Sequence, residues 1–213
     1  MDPITHVLSA AVWIEPLEPP RPQGALYTRW RERAAILFGA LLPDLDAVPG
    51  LVETFGLTEA PVFTQYHRIA SHSFLGLFLV ALLAATLALK WPESWLLPSL
   101  RPKDRTSPRV DPRWRRLFLF STVAVAFHFL GDWITAWGTL KPFWPFSGFD
   151  AQLARVNSIE PVLCGLTVAA WAIQHYVLTR GMRRLGWAVA GVWLLVVVLY
   201  VWLRPIYGPE AFV

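Results

Sequence analysis

The chain has 213 residues, 55% of them hydrophobic and only 16% charged, with a mean hydropathy of +0.43; it is long enough for one domain and too apolar for an ordinary soluble one. Its formal charge of +4 does not make a direct nucleic-acid partner, because the basic residues crowd into connecting segments instead of forming a face with interleaved aromatics. Cys164 is the only cysteine, which excludes an intramolecular disulfide and reads as a small residue within an apolar span.

Asp2-Pro3 forms an N-cap and first helical position for a short helix reaching about Ile14, with Thr5 and His6 in its first turn. Met1-Asp2-Pro3 lacks the basic start of a cleavable signal peptide. The proline-rich stretch 15–23 is a connection. Arg29, Arg31 and Arg33 then precede a second short apolar helix, Ala34 to Leu42, which stops at Pro43 and delivers Asp44-Leu45-Asp46. Two carboxylates oppose the negative end of a helix dipole, a conflict that a cation removes; a solvated turn accounts for the same residues.

Before the first long span come His67, Arg68, Ser71, His72 and Ser73. On one continuous helix His67 and His72 diverge, so convergence requires His67 in a turn and His72 at the helix start, with Ser71 or Ser73 as the cap. Four apolar stretches of spanning length follow: Phe74 to Trp91, Leu117 to Trp137, Pro161 to Leu178 and Leu185 to Leu203, about 27 to 31 Å each as helix. The fold expected is all-α, a polytopic membrane helical bundle of about four long transmembrane helices and two short N-terminal ones. It forms one domain over 1–213, with 92–116 as a basic cytoplasmic loop.

The second long span carries the groups that organise the rest. His128 and Asp132 lie one turn apart on one face, with Ser121 and Thr135 near the same stripe. An ionised Asp at mid-bilayer costs roughly 2.5 to 3.5 kcal/mol, so it faces inward to a partner. A neutral imidazole and a carboxylate suit a zinc-like ion, while a bare His-Asp hydrogen bond serves this pair alone equally well. Glu160-Pro161 opens the third span, where a carboxylate also favours the helix dipole, and His175 near the far end of that span reads as structural.

Loop charge supplies the topology. Arginines crowd 101–116 and 180–184, so both connections are cytoplasmic by the positive-inside rule. The other ends of the helices then carry His6, Asp44, Asp46, His67, His72 and Glu160 on the extracytoplasmic side, where His128 and Asp132 also lie. Convergence on one side argues for a metal centre with enough donors for one or two divalent ions, zinc first. A catalytic reading makes Asp44 or Glu160 a general base and Arg68 a phosphate ligand. Its substrate is a lipid or other amphiphile, a phosphoester by preference, taken from the membrane. A non-catalytic metal-binding or transport protein and an interaction scaffold are the alternatives.

The blocks Asp2-Pro3-Ile4-Thr5-His6, Pro43-Asp44-Leu45-Asp46, His67-Arg68 with His72-Ser73, and His128-x3-Asp132-x2-Thr135-x2-Gly138 followed by Trp144-Pro145-Phe146-Ser147 resemble the YdjM-like family of inner-membrane-associated, metal-dependent hydrolases. That resemblance covers most of the chain in order. It implies that His6, Asp44 or Asp46, His67, His72, His128 and Asp132 are site residues, supported by Thr135 and Arg68. A LexA-type partner follows from the family label alone. Ile69 and Ser71 depart from the family's Gly and Thr while preserving the spacing. A more distant resemblance, to zinc-dependent phospholipase C, rests on an HxxxD pair on one helix.

Overall fold

The computed structural model describes residues 2–17, 30–47, 69–92, 114–135, 139–153, 155–156 and 160–204. Six α-helices account for most of them: α1 (Pro3–Ile14), α2 (Trp30–Leu41), α3 (Phe74–Lys90), α4 (Trp114–Ile134), α5 (Pro161–Thr179) and α6 (Arg183–Leu203). Short 3-10 turns, Glu15–Leu17 and Leu42–Ala47, extend α1 and α2. Among the described residues there is no strand, only an isolated bridge between Thr135 and Val156.

The helix starts follow from capping. Asp2 accepts from the Thr5 N–H at 2.9 Å, with Pro3 in the first turn of α1, and Ser73 Oγ accepts from the Gly76 N–H at 3.0 Å to open α3. Proline also begins α5, and a turn through Gly181 at φ 75° reverses the chain into α6, a conformation that favours glycine.

α4 is the central post, packed against α1, α2 and α3, while α1 also packs on α5 and so joins α4 to the α5–α6 hairpin. The interface of α2, α3 and α4 is built from small residues, Ala35, Ala40, Ala85, Ala88 and Ala124, around Leu117 and Phe120, and small side chains of this kind let apolar helices approach closely. A second cluster, Val12, Ala170, Ala190 and Trp193, fastens α1 to α5 and α6.

α4, α5 and α6 are long and apolar enough to cross a membrane, with mean hydropathies of 1.6, 1.4 and 2.2, while α3 is apolar over 17 residues. The outward faces of α3 and α6 carry exposed Phe78, Leu79, Val192 and Leu195, and the buried stripe of α4 carries Ser121, His128 and Asp132. This apolar outside and polar inside inverts a soluble protein and suits lipid.

α2 begins four residues earlier than the sequence pattern indicates, so Arg31 and Arg33 lie within it instead of ahead of it. The reason is at Glu32, 3% exposed, whose carboxylate pairs with Arg116 Nε on α4 at 2.8 Å. The polar first turn of α2 is thereby held against the start of α4.

Gly39 sits where α2 crosses α4: a Cβ there would stand 2.7 Å from the Ser121 carbonyl oxygen and 2.9 Å from Ala124 Cβ. Gly39→Ala is expected to cost about 1–3 kcal/mol through overpacking and to lower the thermal midpoint in detergent. Gly191→Ala on α6, with nothing within 4 Å of the added carbon, leaves that midpoint unchanged or raises it.

Candidate metal centre

Four elements deliver side chains to one point beside α4. The i, i+4 spacing puts His128 and Asp132 on its buried face, both with 0% exposure. The turn ahead of α3 delivers His72: Ser73 caps the helix and donates from its Oγ to the Ala70 carbonyl at 2.8 Å, which fixes the preceding residue. The 3-10 turn after α2 delivers Asp44, and α1 delivers His6 from its first turn.

His72 Nε2 lies 2.8 Å from Asp132 Oδ2 and 2.9 Å from His128 Nε2. Asp44 Oδ1 is 3.4 Å from His128 Nε2 and 3.7 Å from His72 Nε2, and His128 Nε2 is 3.4 Å from Asp132 Oδ2. One donor atom from each of Asp44, His72, His128 and Asp132 lies within 4.8 Å of all the others. Tetrahedral bonds of 2.0–2.1 Å to a zinc-type ion put neighbouring donors about 3.3 Å apart, which falls inside the range of these contacts.

The outer hydrogen bonds fix which nitrogens face inward. His128 Nδ1 donates to the Ala40 carbonyl at 2.7 Å, which leaves Nε2 with its lone pair. Ser71 Oγ, 2.7 Å from His72 Nδ1, is able to accept from that ring in the same way. Two bare nitrogens then face each other beside two carboxylates, an arrangement that a proton or a metal cation must reconcile. Asp44 turns Oδ1 toward His128 Nε2 across 3.4 Å, a contact that a shared proton or a cation reconciles. It is also the accessible member of the four, its side chain 21% exposed while those of the other three are closed off.

His6 reaches the cluster from the other side. Its ring stacks on His128 at 4.0 Å between centroids, and its Nε2 lies 3.4 Å from Asp132 Oδ1. Neither nitrogen has a hydrogen-bond partner among the described residues, although the side chain is fully buried. A buried imidazole left in that state is costly, and it stands beside the four donors against His128 and Asp132. Asp132 consequently turns one oxygen to His6 and the other to His72 and His128.

The supporting residues hold backbone in place. Thr5 binds Asp2 through both its N–H and its Oγ1, the latter donating at 2.6 Å, and Thr135 Oγ1 donates to the Asp132 carbonyl at 2.9 Å. Glu160 stands elsewhere, accepting from Tyr200 Oη at 2.7 Å and from Arg204 at 3.1 Å, and it ties α5 to α6. His67 and Arg68 lie outside the described residues, as does the side chain of Asp46, whose backbone belongs to the 3-10 turn. His175 lies at the other end of α5, 4.0 Å from Glu15. The Ala40 carbonyl has no side-chain signature. Gly76 left a clue only as a glycine one turn into α3: a Cβ there would fall 1.9 Å from the Ala70 carbonyl oxygen, so its absence allows the His72 turn to close.

Comparison with known proteins gives one result that covers nearly the whole chain: the family model described as YdjM inner membrane protein matches residues 1–207. No curated protein and no solved structure gives a significant match.

Elemental analysis of protein loaded with zinc and then desalted should show bound metal in the native chain and none in His128→Ala or Asp132→Asn. Ser71→Ala, which removes an orienting oxygen, should weaken affinity about 10- to 100-fold without abolishing it. Because imidazoles ligate only when deprotonated, affinity in the native chain should fall as pH drops through the histidine range, with protons released on binding.

Proposed function

The chain belongs to the YdjM family of inner membrane proteins, and from the buried group Asp44, His72, His128 and Asp132 we propose that it is a membrane-embedded metal-dependent hydrolase acting on a lipid or other amphiphilic phosphoester. The observation that carries this reading is the pair of imidazole Nε2 atoms 2.9 Å apart and flanked by two carboxylates. A hydrogen-bonded scaffold needs no such crowding of acceptors. A zinc-type ion held by His72, His128 and Asp132, with Asp44 beside it, would keep a position open for water and would supply water activation near neutral pH and polarisation of the scissile phosphoryl group.

The chain's own residues supply the rest. His72 and His128 are held in register by Ser71 and the Ala40 carbonyl, so the donor set is rigid before substrate arrives. Asp44, outside that ligand set and partly exposed, would stand where substrate and water approach and take the proton from the attacking water. Arg68 is assigned to the substrate phosphate, for which a planar guanidinium is suited.

An extracytoplasmic position for this centre draws support from charge. Arg115 and Arg116 lie at the start of α4, whereas His128 and Asp132 lie near its end, and Arg183 and Arg184 begin α6 beside the α5–α6 turn. A route for ion transport has less support: beyond Ser121, whose Oγ donates to the Ala35 carbonyl at 3.3 Å, the α2–α3–α4 interface is mainly apolar up to the Glu32–Arg116 pair at the far end, where the two charges engage each other.

Purified, zinc-loaded protein should release alcohol or phosphate from a long-chain phosphoester, lose that activity to a chelator and regain it with zinc. Asp44→Asn should lower the rate about 10²- to 10⁴-fold. A fully loaded protein inert toward phosphoester, carboxylester and amide amphiphiles would leave metal binding without catalysis as the function.

A further inference from the structure

Beside the metal centre, on the neighbouring faces of α1 and α4, lies a cavity of about 300 Å³ bounded on its other sides by α5 and α6. Thr5 and Gly131, each next in sequence to a donor, stand in its wall. Along α6 it runs from Trp193 to Trp202, roughly 13 Å of helix, so its long axis follows the helices. At one end Thr167 and Trp193 satisfy each other, Trp193 Nε1 donating to Thr167 Oγ1 at 3.2 Å and that hydroxyl donating to the Leu163 carbonyl. That end is effectively apolar.

The other end is marked by Arg155. Its backbone N–H donates to the Ile134 carbonyl at the end of α4, and its guanidinium donates to the Arg204 carbonyl at 2.8 Å. No carboxylate among the described residues pairs with it. The result is a long apolar slot in the membrane-spanning part of the bundle, closed by apolar groups at one end and headed at the other by a cation with no anionic partner among the described residues. The cation lies at the same end of α4 as His128 and Asp132.

We propose that this cavity takes the single alkyl chain of an anionic amphiphile, with its phosphate-type head group at Arg155 and directed toward the metal centre. Shape selects the chain: against ~30 Å³ for a water-sized group, the volume gives roughly ten methylene-sized positions. Charge selects the head group, since a guanidinium in this setting gains most from a phosphate or carboxylate. Val198 and Trp202, 53% and 75% exposed, leave the slot open toward lipid, from which such a molecule enters. As the substrate cavity it rests on the hydrolase reading above; as a binding site it does not.

The test is binding to the full chain held in amphipol with metal removed by chelation, so that the head group cannot be captured by an ion. Alkyl phosphates of increasing length should bind more tightly up to roughly ten carbons and then level off, in keeping with the number of positions in the cavity. Decanol and inorganic phosphate should each bind at least tenfold more weakly than decyl phosphate. Val198→Trp, which fills the slot from its lipid side, should weaken decyl phosphate tenfold or more, while Val192→Trp, exposed on the same helix and outside the cavity wall, should not. Arg155→Gln should remove the preference of the site for decyl phosphate over decanol. Binding that ignores chain length, equal effects of the two tryptophans, or an unchanged preference in Arg155→Gln overturns the proposal. So does a two-chain phospholipid that displaces decyl phosphate at equal concentration, since the occupant is then ordinary bilayer lipid. Chain-selective binding in a protein that hydrolyses nothing when loaded with zinc would instead keep the site and remove the hydrolase reading.

Discussion

An anionic, lone-pair-rich cluster inside an apolar bundle is the constraint to which the rest of the structure answers. Asp44, His72, His128 and Asp132 bring acceptors together where little water reaches, and uncompensated charge in such surroundings is among the most expensive arrangements a protein holds. A divalent ion held there would turn that liability into a cross-link among α2, α4 and the turn before α3. His6 of α1 faces the same cluster through Asp132. The two short helices fit these terms: α1 brings His6 and the turn after α2 brings Asp44 beside α4.

α4 divides the molecule into two kinds of interior. Its face toward α2 and α3 is lined by alanine and closes tightly around the polar cluster, with Gly39 permitting the close approach of α2. Its face toward α5 and α6 leaves an open apolar slot. Thr5 and His6, or Gly131 and Asp132, are neighbours in the chain but point to different interiors, since successive helical residues are turned about 100° apart. The polar cluster and the apolar cavity thus lie one residue apart with no loop between them.

Much of this was legible in the sequence. The HxxxD pair in an apolar span drew attention to His128 and Asp132, because polar groups stand out against such a background, but the pair alone left a metal and a bare hydrogen bond equally open. Loop arginines then grouped the remaining helix ends, bringing in His6, Asp44 and His72. Grouping by end is a one-dimensional measure, and there it reached its limit: Glu160 shares the end of the bundle with the donors but engages Tyr200 and Arg204. Which of several carboxylates at one depth turns inward is decided by helix rotation and packing, and a single capping position does not encode either. The start of α2 was misjudged for a related reason. Arg31 and Arg33 look like a polar boundary until Glu32 is seen to pair with Arg116, a partner remote in sequence. The Ala40 carbonyl that orients His128 was out of reach altogether, since every residue carries one.

The tight reversal at Gly181 bears on how the molecule is made. Every donor in the described cluster precedes Thr135, while α5 and α6 emerge from the ribosome afterwards as a closely coupled hairpin. Synthesis from the N-terminus thus presents the polar cluster first and the remaining walls of the apolar cavity second. An ion bound by the cluster would find its donors before the cavity is complete.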